Sequence, residues 1–309
     1  MKIKIWVMLA LVGFLASACS IKKMAIRQMV GTMQESKKVF EQENDLDLAE
    51  VALGSNLKLL EGLQVHDPEN AQLNLFLAEG YSSYALAFVE DKFEQYEYTD
   101  EDKADYHRKR AINFYNRARK YAGIVLADLL DVDDPNKIPE LEDKDLKARL
   151  DKLDKDDIAA VFWYAMSWGS ATNLDRENME ALAQLSKIEM MMAKVKEWDP
   201  SFYYAGPYMF EGVYYGSRTK MLNGDPERSV KAFKKALEIT KKKFLIIPYF
   251  YAKTYCVQYQ NQKCFEENLN YVIETPADIL PEQILANTLA KRKAERLLKL
   301  KDELFLSDE

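Results

Sequence analysis

The chain has 309 residues, 48% apolar and 30% charged, which are the proportions of a globular protein and not of a disordered or membrane-embedded one. A formal charge of −7 argues against nucleic acid as a partner, because phosphate binding needs clustered Lys and Arg. With only 11 Gly and 9 Pro, and almost no alternating β-branched runs, the expected fold is all-α.

In chain order, Met1 to Ser20 reads MKIKIWVMLALVGFLASACS. Lys2 and Lys4 precede an apolar run, Ile5 to Leu15, that is short for a bilayer span. Ala16-Ser17-Ala18 and then Cys19 form the pattern of a bacterial lipoprotein signal, with residues 1–18 removed and Cys19 acylated. Ala16 stands where Leu is usual, so an ordinary A-x-A cleavage site and an uncleaved anchor remain alternatives. Acylation would tether the chain to the membrane while leaving its body soluble, and Ser20 after the Cys favours the outer membrane.

Helices are expected from Ile21 to Glu43 and from Asp45 to Leu63, the second carrying Val51, Leu53, Leu57 and Leu60 inward. Ala71 to Phe88 is densely apolar, Glu90 to Asp105 reads as an acidic linker, and Arg108 to Leu130 as a long helix. Residues 131–155 are charged and contain Pro135 and Pro139, so they read as a flexible connection between halves 21–130 and 156–309 of one domain, 19–309. Ile158 to Leu174 holds Trp163 and Trp168. Asp199-Pro200 and Asp225-Pro226 are helix starts, Asp capping free N–H groups and Pro fitting the first turn.

Ser229, Val230, Phe233, Ala236 and Leu237 share one helix face opposite a run of Lys, Arg and Glu. A small residue, an aromatic four on and Ala three further is the spacing of a tetratricopeptide-type hairpin, whose small residues admit a neighbouring helix. The pattern recurs. His66-Asp67-Pro68 and Glu79-Gly80 align with Trp198-Asp199-Pro200 and Glu211-Gly212, while Ala111, Tyr115 and Ala118 align with Ser229, Phe233 and Ala236. Duplication and chance alignment of amphipathic helices both produce such matches. The working architecture is two similar halves of stacked antiparallel helices.

No phosphate loop, dinucleotide fingerprint, nucleophile elbow or H-E-x-x-H occurs, and His66 and His107 lack a ligand-spaced neighbourhood. No catalytic residue, metal or cofactor is therefore expected, and the chain does not read as an enzyme. Cys256 and Cys264 are either a disulfide across a helical turn or two unpaired buried thiols. Glu79 and Glu211 are acids in otherwise apolar helices. The aromatic-rich helices nominate Tyr81, Tyr84, Trp163, Trp168, Tyr208, Glu211, Tyr214, Tyr215 and Arg218 as residues that meet a ligand or partner, since helical arrays bind on concave surfaces or in channels.

Leu59-Leu60-Glu61, Tyr84 to Phe88, Trp163 to Trp168, Gly212 to Arg218 and Gly224 to Arg228 together resemble the T-component lipoproteins of TRAP transporters, the TatT family. The resemblance covers nearly the whole mature chain; Thr219 replaces a usual Pro, and Glu211 stands where the family is apolar. It implies a tetratricopeptide-like fold, a periplasmic location, an extracytoplasmic solute-binding protein as partner, and homo-oligomers whose hydrophobic pores hold a small apolar or amphipathic ligand. The competing expectation is an envelope scaffold lipoprotein that binds proteins in a helical groove and handles no solute.

Overall fold

The computed structural model describes residues 21–306, and the expected signal 1–18 and acylated Cys19 lie outside them. Every regular element among the described residues is helical. Residues 21–35 form α1, and the chain turns at Ser36 before α2 (Lys37–Glu41), so the single helix expected there is two. There follow α3 (Leu46–Gln64), α4 (Ala71–Tyr84), a π-helical turn (Ala85–Val89), α5 (Glu90–Tyr96) and α6 (Glu101–Leu129). Then come α7 (Asp143–Leu150), α8 (Ile158–Leu174), α9 (Met179–Ala183), α10 (Leu185–Trp198), α11 (Phe202–Gly216) and α12 (Pro226–Ile239). The chain closes with α13 (Ile246–Tyr251), α14 (Gln262–Glu274), α15 (Ile284–Lys299) and α16 (Lys301–Leu304).

Helices pack on their neighbours in the chain as hairpins: α3 on α4, α4 on α6, α6 on α8, α8 on α10, α11 on α12, and α14 on α15. In the α11–α12 hairpin, Asp225 accepts hydrogen bonds from the N–H groups of Glu227 and Arg228, and Pro226 occupies the first turn, as expected. Phe233 is fully buried, and a Cβ at Gly212 would stand 2.8 Å from its ring. Ser229 donates to the Gly212 carbonyl at 2.8 Å, closing the seam. Burying that ring contributes about 1.5–3 kcal/mol. The aligned Ala111, Tyr115 and Ala118 are likewise buried, and Gly80 admits Leu57 as Gly212 admits Phe233.

Other readings of the sequence are corrected as well. Val51 is 69% exposed, not inward. Residues 131–155 are folded, with a 3-10 turn (Pro135–Glu140) and α7 burying Ile138, Leu146 and Leu150. Their apolar side chains are few but fall on one side and pack against α6 and α10. The stretch from Glu90, expected as an acidic linker, begins with a helix whose Glu90, Asp91 and Glu94 are buried.

The buried apolar residues form two large clusters, one drawn from Ile26 to Val195 and one from Ala205 to Ala294. Their sequence boundary falls at residues 199–204. Asp199 does not cap a helix there; it accepts from the Ser201 N–H and hydroxyl. Tyr203 (φ 44°, ψ 59°), Tyr204 (φ 56°, ψ 48°) and Ala205 (φ 61°, ψ 33°) then make a left-handed turn before the right-handed helix resumes. Each such residue costs roughly 1–2 kcal/mol, which packing must offset. Tyr203 meets Trp163 edge-on at 4.7 Å in one core, and Tyr204 stacks on Phe244 at 4.8 Å in the other. The turn thus places successive rings in different cores.

Candidate ligand cavity between the cores

A cavity of about 250 Å³ runs between the two clusters, lined from α2 to α15. Its wall is mostly apolar, with Leu57, Phe76, Phe162, Met166, Phe210 and Leu289 among its residues. Two helices set its length. Lining residues on α8 run from Phe162 and Trp163 to Asn173, and those around α11 from Tyr203 to Arg218. At about 1.5 Å rise per residue, the ten-residue step along α8 spans about 15 Å.

Near Tyr203 the wall carries charge. Lys37 pairs with Glu79, and also with Glu41 at 3.3 Å, while Gln283 donates to Glu41 at 3.0 Å. Burial pushes the Glu79 carboxyl up, against the pull of Lys37. Burial would lower the Lys37 ammonium, but Glu79 and Glu41 outweigh it and hold it above its ordinary range. Tyr203 is raised by burial and by the nearby Glu79 charge. At the far end the Arg218 guanidinium lies 4.4 Å from the Tyr214 ring and donates to the Tyr214 carbonyl. No carboxylate among the described residues lies within 4.0 Å of it. Burial lowers Arg218, and the neighbouring Arg176 charge adds to that, against Tyr214.

Of the nominated residues, Trp163, Tyr214 and Arg218 line this cavity. Tyr81 and Tyr84 instead pack in the first core, stacking on Tyr121 at 5.9 Å and on Phe114 at 5.5 Å. Trp168 is buried beneath Arg119 at 5.3 Å. Tyr208 faces an open groove with Val230, Lys234 and Tyr255. Glu211 turns outward to Lys196 at 2.6 Å and Arg228 at 3.1 Å, and Tyr215 donates to Glu189 beside them. So the aligned acids part: Glu79 lines the cavity and Glu211 does not.

Sequence reasoning missed Lys37, Asn173 and Gln283. Lys37 sits among other charged residues, and nothing local shows that Glu79, 42 positions on, will receive it. Cys256 and Cys264 are bonded to each other, their Cα atoms 5.7 Å apart, at the turn where Asn261 caps α14 through the Cys264 N–H.

Fold and cavity define an all-helical hairpin array with an apolar space between its two cores. The family model for the TRAP transporter T-component matches residues 42–305, and the chain belongs to that family. A protein of Treponema pallidum (strain Nichols) described as "Uncharacterized protein" is 23% identical over 312 residues, covering 94% of each chain. The family is one of transport accessories and not of enzymes, and its association with a TRAP transporter assigns the chain to the cell envelope. No described helix is long and apolar enough to cross a membrane.

Proposed function

We propose that this protein is a periplasmic lipoprotein, anchored through Cys19, that holds a hydrophobic or amphipathic organic solute and passes it to or from a solute-binding protein of a TRAP system. The observation carrying the solute part is the apolar cavity between the cores. Ligand sites are typically concave and apolar, with a few placed polar groups. The basic, apolar and small-residue run ahead of Cys19 supports the anchor, and family membership supports the transport partner.

The test has two parts. Displacement of an uncharged apolar fluorophore measures occupancy, and Ala87→Phe, which overfills the wall, should abolish fluorophore binding while helicity is kept. Native mass spectrometry with solute-binding proteins of the same organism then reports complexes and any homo-oligomer. Fluorophore binding that Ala87→Phe leaves untouched defeats the solute reading.

An envelope scaffold is the second reading. The open groove of Tyr208, Val230 and Tyr255, edged by Lys231, Lys234 and Lys235, favours it. Capture of an envelope protein lost in Val230→Glu, with no solute bound, would establish it.

A further inference from the structure

We propose that the cavity takes a slender amphiphile with one anionic head, of the kind a fatty-acid monocarboxylate provides, its head on Arg218 and its tail toward Tyr203. The inference rests on the solute-holding reading above and names its ligand class.

Shape gives the first argument. The space follows α8 and α11 side by side for about 15 Å, which suits an extended chain better than a compact ring system. The two ends differ in charge. Near Tyr203 one ammonium, Lys37, answers two carboxylates, Glu79 and Glu41, so that end is already paired and repels an anion. At the other end Arg218 uses one N–H on the Tyr214 carbonyl and keeps the rest of its fork, and no acid among the described residues comes within 4.0 Å of it. Arg176, held on Asn173 at 3.1 Å, adds a second positive charge in its vicinity.

Ser170, Asn173 and Ser217 add hydroxyl and amide groups to the wall, so a carboxylate there would not be left under-bonded. Glu90 also reaches the wall, but Tyr115 donates to it at 2.6 Å and Lys253 lies 4.0 Å away, so its charge is answered. A guanidinium facing an apolar space without a carboxylate partner is costly unless something anionic arrives. Cationic and neutral amphiphiles gain nothing from it.

The experiment measures equilibrium binding of radiolabelled dodecanoate, dodecanol and dodecylamine to the full chain in lipid nanodiscs, with empty nanodiscs subtracted. Dodecanoate should bind roughly tenfold or more tighter than dodecanol, and dodecylamine weakest. Arg218→Gln should remove that preference while dodecanol binding stays as it was, and Arg218→Lys should keep part of it, since the charge remains and the fork is lost. Equal binding of dodecanoate and dodecanol, or an unchanged preference in Arg218→Gln, overturns the anionic-head proposal and leaves the solute-holding reading standing. Binding of none of the three overturns both.

Discussion

The protein buries two sets of charges, and they are built differently. In one, Glu94 accepts from Lys293 and Arg296 at 2.8 Å each and from Tyr249 at 3.1 Å, and it also pairs with Lys253. Asp91 takes Arg292 at 2.8 Å and Arg296 at 2.6 Å, and Lys293 is fully buried. In the other, Lys37 and Glu79 pair at the cavity wall with Glu41 as a spare partner. The first set is closed off from the cavity, with Arg292 and Arg296 reaching the surface, and it fastens α5 to α13 and α15, so it fixes how the cores join. The second opens on the cavity, where its charge shapes the space. Buried ion pairs are weak sources of net stability, yet breaking one is expensive, and the two sets should differ in that expense.

The largest expected effect is from Glu94→Gln. It leaves Lys253 and Lys293 only their longer contacts to Glu90 at 4.0 Å and Asp91 at 3.8 Å, and urea unfolding should show a loss of about 3–5 kcal/mol. A loss below about 1 kcal/mol would mean the cluster does not hold the cores together. The disulfide comes next: it ends the π-helical turn Ala252–Cys256 that supplies Lys253 to the cluster. Cys256→Ser with Cys264→Ser should cost about 2 kcal/mol for so short a loop, read as a lower urea midpoint. Glu79→Gln should cost less, about 1–2 kcal/mol, because Lys37 keeps Glu41. A cost matching that of Glu94→Gln would erase the distinction between a closed set and an open one.

Acid sharpens the comparison by sign. The cations around it hold the Glu94 carboxyl well below its ordinary value of 4.5, overcoming burial, so its contribution is present above that value and lost as pH falls below it. Glu79 is raised by burial, so the folded state holds its proton more tightly than the unfolded one, and acidification favours folding at that position. The fall in urea stability between about pH 5 and 2 should therefore flatten in Glu94→Gln and steepen slightly in Glu79→Gln. The same slope in both variants would contradict the assignment.

What the sequence determined by itself is the local and periodic part. The α11–α12 hairpin was legible because Asp225, Pro226, Ser229 and Phe233 act within a few residues of one another, through caps and one helix face. Helical content, the echo of that hairpin at Ala111, Tyr115 and Ala118, and the family followed from the same short-range regularities. Tertiary structure decided which charges go inside. Glu90, Asp91 and Glu94 look like solvated linker acids, and the cationic partners of Glu94, which are Lys253, Lys293 and Arg296, stand 159 or more positions away. Only that distant convergence makes their burial tolerable. The left-handed turn at Tyr203 is of the same kind, since no residue there favours positive φ and the aromatic partners on both sides must offset it. The cavity belongs to this second class as well: it is the space left where two cores meet, and no single stretch of chain encodes both its walls.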